Sequence, residues 1–404
     1  MRDGWRHARL GEVAALDIEA VRVEPGHRYA IAGVLSAGQG LFKRQTIEGF
    51  QTNYPTLHRL RAGQLVMRKL TAWEGPISCV PAEYEGFFVS AEFPTFTLGP
   101  DLLPAYMSLV CQRPEFWELM KDRSTGSVQR RKRVSPAQLL AIEVDVPPLA
   151  EQRRIVDLIG AVDDLLKAAS ALASSLRKSH RAIREEWLSK ADDVVRLGHV
   201  IVRIDAGRSP DAEDRQPAKG ETTVLKVSAV RPGWFDRTQV KVVKDAGVFP
   251  THALVRDGDL LMIRANGNAD LLGVVCITED SPERCFLSDK TLRVVPDETA
   301  VHPVFLMEAL MSADSRRQIA LCGTGTASMK NISQASIENL MVPLLPPAPQ
   351  AVFVALTTAL RVARRNADRE AATLSGLRAA LLTSLMSGDR RMSRSYDRFL
   401  DGAA

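Results

Sequence analysis

The 404-residue chain balances 53 Lys and Arg against 48 Asp and Glu, for a net charge of +5, so a nucleic-acid partner would have to be met by local basic patches rather than by bulk charge. Its length, with 45% hydrophobic and 25% charged residues, fits two globular domains with real cores plus additional segments. Five cysteines without a CxxC pair suit a reducing compartment, the opening MRDGWRHARLGEV has no apolar signal core, and no apolar run approaches membrane-spanning length; a cytoplasmic protein is expected.

In order, the chain reads as one plan repeated. Trp5-Arg6-His7-Ala8-Arg9-Leu10-Gly11-Glu12-Val13 leads into the alternating, strand-like Tyr29-Ala30-Ile31-Ala32-Gly33-Val34. At Leu60-Arg61-Ala62-Gly63-Gln64-Leu65-Val66-Met67 a Gly turn launches an apolar strand. A helical pattern covers Leu102 to Met120, followed by Ser124-Thr125-Gly126-Ser127 and Val134-Ser135. A short strand, Ile142 to Val146, ends in a Pro pair, which stops it because proline lacks an N–H and has a fixed φ. Then Ile155, Leu158, Val162, Leu165, Ala169, Leu172 and Leu176 recur at alternating steps of three and four, the seam of a long helix. Roughly forty residues at about 1.5 Å each make a rod on the order of 60 Å.

The plan then starts again. Val195-Arg196-Leu197-Gly198-His199-Val200 echoes the opening, Leu225 to Val230 the alternating strand, and Val255-Arg256-Asp257-Gly258-Asp259-Leu260-Leu261-Met262 the Gly-launched strand. A helical pattern from Pro303 to Leu321 precedes Cys322-Gly323-Thr324-Gly325-Thr326 and Ile332-Ser333. The strand Leu340 to Leu345 meets a second Pro pair. Its helix has a seam of Phe353, Leu356, Leu360, Ala363, Ala367, Leu374, Leu377 and Leu381, interrupted at Glu370. The copies stay roughly 190–200 residues apart throughout, as a tandem duplication requires. Mixed strand and helix content makes each globular part α/β or α+β. The expected segments are a globular domain over 1–147, a long helix over 148–190, a second domain over 191–346, a second long helix over 347–388 and a tail over 389–404.

Catalytic signatures are missing. There is no GxxxxGK[ST] loop, no HExxH, no Cys/His cluster at metal spacing and no Gly-rich turn for a dinucleotide or methyl donor. Asp289-Lys290 reads as a salt bridge at a strand end before it reads as part of a nuclease centre. No catalytic residue, metal or cofactor is therefore expected.

The positive signal is local charge. No acidic residue occurs from Arg123 to Ile142 or from Ser315 to Ile337. The first loop offers Arg130, Arg131, Lys132 and Arg133 beside Thr125, Ser127 and Gln129; the second offers Arg316, Arg317 and Lys330 beside Thr324 and Thr326. Cations, hydroxyls and Gly-loop N–H groups together are what phosphates bind, although one such loop alone would read as a solvated surface. After each Gly-launched strand come Arg68-Lys69 and Arg264-Ala265-Asn266-Gly267-Asn268. Arg can pair bidentately with guanine and Asn with adenine in the major groove; the competing reading makes Trp73 core and the asparagines turn formers. Gln45, Thr52, Asn53 and Tyr54 are polar enough to read bases, but nothing singles them out.

At Val146-Pro147-Pro148-Leu149-Ala150-Glu151-Gln152-Arg153-Arg154-Ile155, and again at Leu377 to Gly388, the chain resembles the specificity subunits of type I restriction–modification systems. The family pattern is a strand ending in PPL-x-EQ-x-x-I, a long helix and a terminal LLxxLxxG tail. The second copy, Pro346-Pro347-Ala348-Pro349-Gln350, keeps the prolines and the glutamine but loses the acid. The resemblance implies two target-recognition domains, each reading half of an asymmetric bipartite DNA site, and two long antiparallel coiled-coil helices that set the gap. It also implies internal pseudo-twofold symmetry. The subunit would have no catalysis of its own and would recruit two methyltransferase subunits, with two restriction subunits optional. A coiled-coil scaffold that assembles partners without reading DNA is the competing expectation.

Overall fold

The computed structural model describes residues 4–125, 132–244, 249–326, 329–388, 390 and 392–400. The fold is mixed α/β. The chain divides into two compact units, residues 1–168 with 371–404 and residues 169–370.

In the first unit, strands Ala14–Leu16, Thr95–Leu98, Leu65–Met67 and Ile77–Cys79 lie side by side in that order, every neighbour antiparallel. Successive side chains of a strand face opposite ways, and the central strand uses both faces. Leu65 and Met67 join Phe96, Tyr106 and Met107 in the main core. Val66 joins Leu60, Val80 and Val89 in a smaller one. A separate three-stranded sheet, Glu19–Arg22, Thr56–Arg59 and Phe88–Val89, closes over Tyr29, Leu57 and Phe88. The predicted helical run from Leu102 to Met120 is two helices, Pro104–Cys111 and Pro114–Asp122. Pro114 cannot continue the first helix but is well placed to start the second.

The second unit has the same strand order: Ile201–Ala206, Thr291–Pro296, Leu260–Ile263 and Val275–Ile277, again antiparallel. Leu260 and Met262 face the core of Leu292, Val294 and Phe305. Leu261 and Ile263 face that of Leu225, Val240 and Cys276. The predicted run from Pro303 to Leu321 also breaks in two, at Pro303–Leu310 and Ala313–Cys322. Here the Ser312 hydroxyl caps the second helix by accepting from the N–H of Ser315.

In each unit a short antiparallel ladder leads into a long helix. Arg6–Arg9 pairs with Glu143–Val146 ahead of helix Leu149–Leu188, and Asp193–Arg196 pairs with Met341–Leu344 ahead of helix Pro347–Ser387. The glutamine common to both Pro-Pro motifs ties each helix start to its domain. Buried Gln152 donates from Nε2 to the carbonyls of Asp101 (2.7 Å) and Pro147 (2.8 Å), and its Oε1 accepts from the N–H of Leu103 (2.8 Å). Gln350 does the same with the carbonyls of Leu345 (2.7 Å) and Ala300 (3.4 Å) and the N–H of His302 (3.0 Å). Glu151, whose counterpart is Pro349, instead accepts from Trp5 Nε1 at 3.0 Å.

The seams differ from those expected at every other position. Leu165, Leu172, Leu356 and Leu377 are between 37% and 58% exposed. The buried stripe runs Ile155, Ile159, Val162, Ala169, Ala173 and His180 on one helix and Gln350, Phe353, Thr357, Arg361 and Ala367 on the other. A heptad's three-four alternation can begin on either step, and counting leucines chose the wrong one. In the corrected phase Ala371, not Glu370, falls on the stripe, so the apparent interruption disappears. The stripe is also more polar than read: Thr357 satisfies its buried hydroxyl on the Phe353 carbonyl at 2.8 Å.

Each unit pairs stretches of the two helices in antiparallel order. In the first, Ile155 and Ile159 pack with Leu382, Leu385 and Met386, Arg378 pairs with Asp163, and Tyr396 donates to Asp157 at 2.7 Å. Arg154, nearly buried, forms a two-pronged bond with Asp397 (2.6 and 3.0 Å). In the second, Arg177 meets Asp368 at 2.8 Å and Phe353 packs against Trp187 and Phe305. Beside these lies Glu308, buried and bonded to His180 (3.0 Å) and Arg184 (2.8 Å). Burial would raise its carboxyl pKa, but the His180 hydrogen bond and the Arg184 charge outweigh it and hold the value below the ordinary one.

Candidate nucleic-acid interface

The sequence singled out two stretches in each half of the chain, and in both units the fold joins them. In the first unit Gly63, at φ +80°, makes the turn that launches strand Leu65–Met67. The chain leaves that strand through Arg68-Lys69-Leu70-Thr71. There the N–H of Val134 donates to the Lys69 carbonyl (3.1 Å) and the N–H of Thr71 to that of Lys132 (3.0 Å). Thr125 and Arg133 exchange two backbone bonds, both 2.9 Å. Two stretches distant in sequence, 68–71 and the loop that carries Thr125 and Lys132 to Val134, thus form one small platform carrying Lys69, Thr125, Lys132 and Arg133.

The second unit builds the same platform as a three-stranded sheet. Ala265–Asn266 pairs with Lys330–Asn331, which pairs with Thr324–Gly325. The N–H of Ile332 donates to the Arg264 carbonyl at 3.0 Å, as Val134 does to Lys69. Arg264, Asn266, Thr324 and Lys330 therefore come together, with Asn268 just beyond and Thr326 directly after strand Thr324–Gly325. Ser127, Gln129, Arg130 and Arg131 lie outside the described residues.

Side-chain chemistry separates these candidates. Arg68 spends its guanidinium locally, donating to the Leu70 carbonyl (3.0 Å), Thr71 Oγ1 (2.6 Å) and Glu74 Oε2 (3.1 Å). It staples the bend where Thr71 adopts φ +53°. Arg133 is half exposed and meets the partly buried Glu92 at 3.0 Å, so a phosphate would compete with that carboxylate for the guanidinium. Asn266 Oδ1 accepts from the N–H of Asn268 (2.8 Å), and Asn268 Oδ1 from that of Asp270 (3.0 Å). Both asparagines thus shape the turn, while each amide oxygen has a second lone pair with which a base edge could still be met. Arg316, read from sequence as loop charge, instead clamps the carbonyls of Leu272 (2.7 Å) and Asp270 (2.8 Å).

Sequence reasoning missed Glu92, which sets the resting position of Arg133, and also Arg293. The latter is a buried guanidinium on strand Thr291–Pro296 that pairs with Asp205 (2.7 Å) on strand Ile201–Ala206 and with Asp259 (2.9 Å) just ahead of strand Leu260–Ile263. Neither has a local signal, since each partner lies far along the chain. Among the described residues no group of three His, Cys, Asp or Glu could hold a metal ion, and no helix is long and apolar enough to cross a membrane. Burial pushes the thiols of Cys79 and Cys276 up to about 12 and that of Cys285 to about 11, which removes their nucleophilic character near neutrality.

No protein-family model matches the chain. It is 23% identical to the type I restriction enzyme EcoKI specificity subunit of Escherichia coli (strain K12) over 234 residues, 54% of this chain and 50% of that relative. It is 30% identical to the type I restriction enzyme EcoEI specificity subunit of Escherichia coli over 161 residues, 38% of this chain and 26% of that relative. The matched stretch thus spans about half the length of the first relative and about a quarter of the second. Among solved structures it is similar to the type I restriction–modification system S subunit from M. genitalium, with a TM-score of 0.61 at 14% identity, covering 96% of this chain and 97% of that one. That likeness is one of fold. The proteins the chain resembles in sequence are specificity subunits of type I restriction enzymes, the family to which its Pro-Pro motif and terminal helix already pointed.

Proposed function

We propose that this chain is the DNA sequence-specificity subunit of a type I restriction–modification complex, acting in the cytoplasm without catalysis or cofactor of its own. The observation that carries the reading is the pair of platforms, each joining a basic, acid-free loop to the segment that leaves a Gly-launched strand. Two recognition domains built on one plan but with different loops suit an asymmetric bipartite site, as a dimer suits a palindrome. Lys69, Lys132, Arg133 and Lys330, with Thr125, Thr324 and Thr326, are assigned to phosphates; Arg264, Asn266 and Asn268 are the candidates for base edges. In this reading the two long helices act as an antiparallel spacer that sets the gap between half-sites and, with neighbouring surfaces, receive two methyltransferase subunits. Two restriction subunits complete the complex where cleavage occurs.

The test is a map of modified bases in the host genome with the gene intact and deleted. Loss of N6-methyladenine at one asymmetric split motif is expected. An unchanged map, with the partner methyltransferase expressed, would refute the reading and favour a scaffold.

A further inference from the structure

The first unit holds an open pocket of about 310 Å³ outside the platform. Its apolar walls come from Ile31, Leu57 and Phe93, and its rim from Arg44, Gln45 and Tyr54. This is the composition of a site for a flat heterocycle, apolar surface for the ring and a few polar groups for its edge. The surrounding stretch is unusual in leaving large rings in solvent: Phe42 is 41% exposed, Phe50 68% and Tyr54 50%. Of these rings Tyr54 lines the pocket, and an exposed aromatic face is a surface on which a base can stack.

The pocket adjoins the platform through a single loop. Ser90 and Phe93 line the pocket, while Glu92 between them accepts from Arg133 at 3.0 Å and its carbonyl accepts from the N–H of Lys69 at 2.9 Å. Lys69 and Arg133 of the platform are thus bonded to the residue that lies between two residues of the pocket lining.

We infer that this pocket receives one nucleobase swung out of the duplex gripped by the adjacent platform, its face against the apolar walls and its edge met by Gln45 and Arg44. The inference rests on the DNA-binding reading and adds a site to it. A base that is already unpaired avoids the cost of unstacking and unpairing, so an unpaired base in the probe should bind more tightly.

The full chain is titrated by fluorescence anisotropy with two short labelled duplexes, identical except that one carries a single bulged 2-aminopurine. Wild-type protein is expected to favour the bulged duplex roughly tenfold or more. The double variant Gln45→Ala/Tyr54→Ala, altered only at exposed positions, should lose that preference and keep its affinity for the paired duplex. Equal affinities for the wild type, or a preference that survives in the double variant, overturn the inference and leave the DNA-binding reading intact. Absence of salt-sensitive binding to either duplex overturns both. Thymidine monophosphate or deoxyadenosine monophosphate, followed by ligand-observed NMR, separates the other source of the same chemistry. Saturable nucleotide binding that the double variant abolishes, with no bulge preference, would assign the pocket to free nucleotides and refute the extrahelical base.

Discussion

Replacing Gln152 with Ala tests how the first long helix is held to its domain. The side chain is fully buried and its two ends satisfy three backbone groups, the carbonyls of Asp101 and Pro147 and the N–H of Leu103, at 2.7 to 2.8 Å. Truncation orphans all three, and a buried polar group left without a partner costs about 1–3 kcal/mol. The Pro147 bond is buried and the other two are part-buried, so the expected loss is about 3 kcal/mol. Gln350→Ala should cost less, about 2 kcal/mol, because one of its three bonds is already stretched to 3.4 Å. Gln152→Glu keeps the shape but turns a carboxylate toward two carbonyls, so it should destabilise at neutral pH and recover partly on acidification, when the acid can donate. Urea unfolding followed by circular dichroism gives the stabilities, and hydrogen exchange at the Leu103 amide localises the effect. A loss below about 1 kcal/mol for Gln152→Ala, or a Gln152→Glu protein as stable as wild type at neutral pH, would refute the clamp.

Three other outcomes are expected. Glu308 has a carboxyl pKa held below its ordinary 4.5, so its contribution to stability is complete above that value and lost as pH falls through the folded-state value. Glu308→Gln should cost about 3 kcal/mol near neutrality and flatten the acid limb of the stability profile; an unaltered acid limb counts against the His180–Glu308–Arg184 network. Replacing Lys69, Lys132 and Arg133 together with Ala should weaken DNA binding broadly and reduce its log-salt slope by about 0.9 for each phosphate no longer neutralised. A defect at a single base position with an unchanged slope would contradict the phosphate assignment. In native protein at about pH 8, iodoacetamide should label half-buried Cys322 well before Cys79, Cys111, Cys276 or Cys285; rapid labelling of any of those four, read by mass spectrometry, would mean the cores are looser than described.

Local chemistry was legible from the chain alone. Gly63 and Gly258 as turns, the Pro pairs as stops before long helices, the acid-free basic loops and the repeated order of parts all follow from effects within a few residues: backbone sterics, missing N–H donors and side-chain charge. Even the glutamine common to both Pro-Pro motifs was visible as a recurrence, although its bonds to the loops before helices Pro104–Cys111 and Pro303–Leu310 were not. Tertiary structure alone decided the phase of the helix seams, since Leu158 and Ile159 satisfy a heptad equally well until a partner helix chooses between them. It decided too that Arg68 is a staple while Arg133 faces solvent, because the carboxylate of Glu92 and the bend at Thr71 place them so. And it brought Lys69 beside Lys132, and Arg264 beside Ile332, through backbone bonds between segments more than sixty residues apart. Such pairing depends on the closed chain, and no periodicity or local composition encodes it.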